Sequence, residues 1–149
     1  MFNITLQGDA ELVAALEAMP GAVREELVRV VTRLTIGLQQ HIKADKLEGQ
    51  VLHHRSGNLS TSIVTGGPDV SGDSVVGTVA SSSDVVHYAR IHEYGATVTR
   101  VSKLGKTYTA TYPERSFMRS SLADQRDAII DALKQAVMDG MRAPLGKTP

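Results

Sequence analysis

The chain has 149 residues, the length of one domain, and its sixteen Lys and Arg balance sixteen Asp and Glu for a net charge of zero. That balance excludes a uniformly basic nucleic-acid coat and an acidic solvating tail, and 42% hydrophobic against 21% charged residues excludes a disordered chain. The absence of cysteine excludes a disulfide scaffold, thiol catalysis, iron–sulfur ligation and thiolate zinc sites.

Residues 1–5 show no cationic segment followed by an apolar run, so no signal peptide is expected. No stretch reaches the ~18 apolar residues of a membrane span, and no internal repeat stands out. The expectation is a protein free of membranes and made in the cytoplasm.

Residues 2–7 alternate, with Phe2, Ile4 and Leu6 on one face, which predicts a half-buried strand. Asp9 is a good N-cap for a short helix over residues 10–19, and Pro20-Gly21 predicts a break. A first long helix is then expected over residues 22–47. Val23, Leu27, Val30, Val31, Leu34, Leu38 and Ile42 follow its three- and four-residue steps. Residues 51–67 are polar and mixed, Gly66-Gly67-Pro68-Asp69 reads as a turn, and residues 74–81 read as a strand that 63–65 can pair with. Residues 87–95 predict a short helix stopped by Gly95. Residues 97–101 and 107–112, β-branched and aromatic, predict a hairpin across Lys103-Leu104-Gly105-Lys106. A second long helix is expected from Ser116 to about Met141, with Met118, Leu122, Ile129, Ile130, Leu133, Val137 and Met141 as its stripe. The order predicts an α+β fold, two long amphipathic helices packed on a small, mainly antiparallel sheet with a protruding β-hairpin. One domain is expected over residues 1–142, with 143–149 as a flexible tail.

A search for chemistry yields little. His87 and His92 are five apart, about 140° around a helix, and so do not share a face. His53 and His54 are adjacent and point apart, and HExxH is absent, so no metal site is expected. The many serines include no G-x-S-x-G elbow, and neither a phosphate loop nor a dinucleotide fingerprint is present. Glu93 is the one acid inside a dense motif, and an ion-pair role suits it better than catalysis. No catalytic residue, cofactor or enzymatic activity is expected.

The zero charge is uneven along the chain. Residues 1–96 hold seven basic and eleven acidic side chains, net −4, whereas residues 97–119 hold five basic and one acidic, net +4. Five of the six aromatics, Tyr88, Tyr94, Tyr108, Tyr112 and Phe117, lie within residues 88–117. Basic and aromatic residues together suit single-stranded nucleic acid, bound by stacking and phosphate contact. They equally suit a packed core beside an interface between unlike patches of neighbouring copies.

Three segments carry a resemblance. They are Arg55-Ser56-Gly57-Asn58-Leu59-Ser60-Thr61-Ser62-Ile63, Tyr88-Ala89-Arg90-Ile91-His92-Glu93-Tyr94-Gly95-Ala96, and Pro113-Glu114-Arg115-Ser116-Phe117-Met118-Arg119 opening the last helix. In this order and spacing the chain resembles the tail-component family of tailed bacteriophages, also called neck, tail-completion or head–tail joining proteins. That family shows R-[ST]-G-x-L, Y-A-x-x-x-E-x-G and P-x-R-[PS]-F-[ML] segments. The virion-morphogenesis proteins of Mu-like phages look similar. Ser116 stands where proline is common, and serine can cap the helix instead.

The resemblance implies a structural virion protein of the head–tail connector, a homo-oligomeric ring with a hexamer as the expected form. The ring would join the DNA-filled head to the tail. Its neighbours would be portal, adaptor and stopper proteins on the head side and the tail terminator or tail tube on the tail side. Non-specific contact with genomic DNA in the channel is a further expectation. Before assembly the protein would reside in the host cytoplasm. The alternatives are a tail-tube terminator and, from another class, a nucleic-acid-binding module. The motif residues are Arg55, Gly57, Leu59, Tyr88, Arg90, Glu93, Gly95, Arg115 and Phe117. Gly57 and Gly95 are expected in turns, and Leu59, Ile63, Tyr88, Ile91 and Phe117 beneath the helices. Glu93 is expected to pair with Arg55 or Arg115. Arg100, Lys103, Lys106 and Arg119 are the expected subunit-interface or DNA-channel cations.

Overall fold

The apolar stripe beginning at Val23 belongs to a helix longer than its spacing predicts. In the computed structural model, which describes residues 9–50, 57–72, 74–82 and 89–145 and the side chains of all of these except 9–16 and 48–50, helix α1 runs unbroken over Asp9–His41. The strand expected at residues 2–7 lies outside the described residues, as do residues 146–149 of the expected tail. The expected break at Pro20 is absent, for the proline sits inside α1. A proline in a helix interior removes a donor and crowds the carbonyl four residues back, costing about 3 kcal/mol. Just beyond the proline the α1 backbone at Ala22 and Val23 is in close contact with Gly140 of the last helix.

Beyond His41 the winding widens to a π-helix over Ile42–Gln50. In an α-helix residues five apart diverge by about 140°. The wider winding lets Ile42 and Leu47 both enter the core, 1% and 4% exposed.

Helix α4 spans Met118–Arg142 and lies antiparallel to α1, with Gly140 against Val23 at one end and Asp124 beside Lys46 at the other. The crossing is close. A Cβ on Gly140 would stand 2.5 Å from Val23 Cα and 3.0 Å from Val23 N. At the other end the buried Lys46 ammonium lies 2.7 Å from Asp124 Oδ2, and His41 Nε2 lies 3.5 Å from the same oxygen. The hydrogen bond from Lys46, aided by His41, holds the Asp124 carboxyl below its ordinary pKa.

Between the helices the chain forms α2 (Asn58–Ser62), β1 (Ile63–Ser71), β2 (Ser74–Ser81), α3 (Ala89–Tyr94), β3 (Ala96–Val101) and β4 (Thr107–Tyr112). The strands form two separate two-stranded antiparallel ribbons, β1–β2 and β3–β4, rather than one sheet. Gly66–Asp69 is a bulge inside β1 and not the expected turn. The register passes from Gly66↔Thr78 to Asp69↔Val76, so β1 carries one extra residue. Gly67 takes φ +84° and Pro68 offers no amide, which interrupts pairing without reversing the chain. The reversal comes at Gly72, φ +55°.

The β1–β2 ribbon lies along α1. Gln39 Nε2 donates to Ile63 O at 2.8 Å, and Arg24 Nη2 donates to Gly72 O at 3.0 Å. Gly77 of β2 sits under Thr35 and Val31, where a Cβ would meet Thr35 Oγ1 at 2.0 Å. The second ribbon projects as an arm, with every residue from Val101 to Thr109 except Ser102 exposed.

The core lies where the segments converge. Ile42, Leu47, Ile63, Ala89 and Phe117 are buried together, with Leu38, Leu59, Val79 and Met118 packed around them. The architecture is α+β, two long helices with two small antiparallel ribbons. Among the described residues no helix is long and apolar enough to cross a membrane.

The backbone-to-backbone crossing at Gly140 yields a test. Alanine there gains helix propensity on an isolated helix, but here both contacting groups belong to helix backbones. Gly140→Ala is expected to lower unfolding stability by about 1–3 kcal/mol, read from denaturant melts.

Candidate functional site

The second and third motif segments meet at one buried carboxylate. Glu93 is 4% exposed on α3, a helix that ends at Gly95 with φ +68°. Its side chain reaches the start of α4. Oε2 accepts the amides of Phe117 and Met118, each at 2.9 Å. Oε1 accepts the Arg119 amide, Arg119 Nε and Ser116 Oγ, each at 3.0 Å. The first amides of a helix have no intrahelical acceptor, and the helix dipole favours an anion there. Glu93 therefore caps a helix that begins 25 residues later. The cap expected from Ser116 is corrected: its hydroxyl donates to Glu93, and no amide of α4 donates to it.

Of the two expected partners of Glu93, Arg55 lies outside the described residues, and Arg115 is exposed with its backbone amide on His92 O at 2.7 Å. Among the described residues the cation on Glu93 is Arg119. Its Nη2 further donates to Glu93 O at 2.9 Å and Glu114 Oε1 at 2.6 Å, and its guanidinium carbon stands 4.6 Å from the Tyr94 ring centroid. Arg119, expected at an interface or channel, is thus held in an intramolecular cluster while its side chain stays 52% exposed. Nothing local in the sequence joins residues 93 and 119, which is why the pair was not foreseen. Only the acid inside a dense motif signalled it.

Burial pushes the Glu93 carboxyl up, but the amides of Met118, Arg119 and Phe117 and the Arg119 side chain outweigh it. The net pKa is below the ordinary 4.5. Burial first, then the nearby Arg115 charge, lowers the pKa of His92 below 6.5.

The remaining motif residues surround this anchor. Phe117 is fully buried, Leu59 packs on the same core, and Ile91 is half-buried. Gly57 takes φ +69° before α2. At Gly95 a Cβ would crowd Glu114 N at 2.9 Å and Tyr112 O at 3.1 Å, so the two roots of the arm touch there. Arg90 is exposed, and Tyr88 lies outside the described residues, as do His53, His54 and His87. Among the described residues no group of His, Asp and Glu is arranged to hold a metal.

Arg100, Lys103 and Lys106 are exposed on the arm, with Arg100 opposite Tyr108. One face of the arm is a threonine ladder, Thr97 opposite Thr111 and Thr99 opposite Thr109, with hydroxyls 3.4 and 3.5 Å apart. The other face carries Val98, Arg100, Tyr108, Ala110 and Tyr112. Comparison with family models, curated proteins and solved structures finds no match to this chain.

The Glu93 cap predicts the response to substitution and to acid. Glu93→Gln turns an amide NH2 toward helix donors, with an expected loss of about 2–4 kcal/mol at pH 7. Because the native pKa is depressed, the unfolded state takes up the proton first as pH falls below 4.5. The stabilisation from ionised Glu93 is therefore complete above that pH and disappears as pH drops through the native pKa. Denaturant melts at pH 7 and below pH 4 are expected to show the difference between wild type and Glu93→Gln shrinking in acid.

Proposed function

We propose that the chain is a structural virion subunit of the phage head–tail connector, a neck or tail-completion protein whose copies close into a ring. The observation that carries this reading is the junction of motif segments. Ile63 and Leu59 from the first region, Ala89 and Glu93 from the second and Phe117 from the third meet in one core and one capped helix start. Of the residues that carry the family resemblance, Leu59, Glu93 and Phe117 help to join α3 and α4 to the rest of the scaffold. Both Glu93 oxygens are engaged by α4 and Ser116, which suits an anchor.

Segregated charge supports assembly. The arm, residues 96–112, holds three cations and no acid on an otherwise acidic body. Unlike patches on one subunit favour head-to-tail contacts, and closure of such contacts produces a ring.

Reversing the arm's charge tests the proposal. Phage carrying Lys103→Glu with Lys106→Glu are expected to accumulate filled heads and free tails that do not join. The purified variant should keep its wild-type circular dichroism. Normally joined particles, seen by electron microscopy, would count against the reading.

A further inference from the structure

The helical layer is two helices wide, but the β1–β2 ribbon lies along only one of them. Beside β2, over α4, a groove of about 420 Å³ lies between Leu27, Val31, Val75, Ile130, Leu133, Lys134 and Val137, open among the described residues. Its β residue, Val75, comes from β2, so β2 is the strand bordering that half of the layer. Among the described residues the outer edge of β2 over Ser74–Ser81 is unpaired and has neither proline nor bulge, whereas β1 has both at Gly66–Asp69. Proline and bulges blunt an edge, and a regular edge invites another strand.

The arm has the opposite deficiency. A two-stranded ribbon is marginal in water unless a further strand or a helix supports it. The arm exposes Leu104 at 88% at its tip and Tyr108 at 49% on the face opposite the threonine ladder. Among the described residues its two strands form a sheet of their own, with neither outer edge paired. Composition also sets the two ribbons apart. Residues 96–112 carry three cations and no acid, and residues 63–81 carry two acids and no Lys, Arg or His.

We infer that the arm of one copy adds to the β2 edge of the next copy, so that two ribbons form one four-stranded sheet across the subunit boundary. The face bearing Val98, Arg100, Tyr108, Ala110 and Tyr112 turns toward the groove over α4, and the threonine ladder, with Val101, turns to solvent. Main-chain hydrogen bonds supply the attachment, as in strand addition generally. Opposite charge on the two ribbons selects the pairing. The contact is heterologous, because arm and edge are different parts of the chain. The inference rests on the self-assembling subunit proposed above and specifies its interface.

Because the chain lacks cysteine, cross-linking can be directed. Thr107→Cys and Thr78→Cys, both at exposed positions, are prepared as separate proteins, mixed, and treated with a short bis-maleimide, with oligomer size followed in parallel by light scattering. A covalent dimer from this mixture, absent when Asp127→Cys replaces Thr78→Cys, is the expected result. Adding Lys103→Glu and Lys106→Glu to the arm protein should abolish it. An oligomer that forms without the 107–78 link overturns the shared sheet and leaves the connector reading standing. A chain monomeric at every concentration, with no link, overturns the shared sheet and the self-assembly it rests on. Arm lysines protected from acetylation only when duplex DNA is added would assign the arm to nucleic acid and also overturn the inference.

Discussion

A carboxylate buried against the start of a helix has to be satisfied, and in this protein the need is met across 25 residues of sequence by Glu93 and the amides of α4. The same short stretch makes other ties. His92 O accepts the Arg115 amide, and Tyr94 lies beneath the Arg119 guanidinium. Three consecutive residues of α3 are therefore fixed to the segment that opens α4. The arm leaves from this point, β3 starting at Ala96 and β4 ending at Tyr112, with Gly95 allowing the two roots to approach. The anchor sets the arm's position against the helices, which links a buried charge to the surface the protein presents.

The remainder of the scaffold reads as half of a larger one. The antiparallel helices are fastened at both ends, by the Gly140–Val23 crossing and by the Lys46–Asp124 ion pair. Yet the apolar residues between them are only partly covered, with Met138, Met141 and Leu122 about half exposed. Among the described residues the largest buried cluster lies at the end where α1, α3 and α4 converge, with Val30 and Ala136 also buried between the two long helices. Among the described residues the groove is open and the ribbon unsupported, and these are the surfaces that the proposed subunit reading uses.

Periodicity made the two long helices legible, as it did the arm, whose β-branched strands flank a Lys-Leu-Gly-Lys turn. Gly95 as a helix stop followed from its ease at positive φ, and Phe117 as a core residue from its motif. The misreadings share a cause. Pro20, the glycines before Pro68 and Ser116 each carry a strong local signal for a break, a turn or a cap. In each case a non-local contact stands beside the local signal: the α4 crossing at Ala22 and Val23 after Pro20, continued strand pairing around the bulge, and the Glu93 carboxylate at α4. The Glu93–Arg119 and Lys46–Asp124 pairs join residues far apart in sequence, and no spacing rule reveals them. The Ala136-x3-Gly140 step of small residues was the one overlooked local hint of the close helix crossing.

The central claim is that this chain is a ring-forming part of the junction between head and tail. Electron microscopy of intact virions, with a tag on the exposed face of α4 to mark each copy, tests it most directly. The account predicts density for a single ring of tagged copies on the particle axis between the portal and the tail. Tagged copies absent from the particle, or found away from its axis, would contradict it.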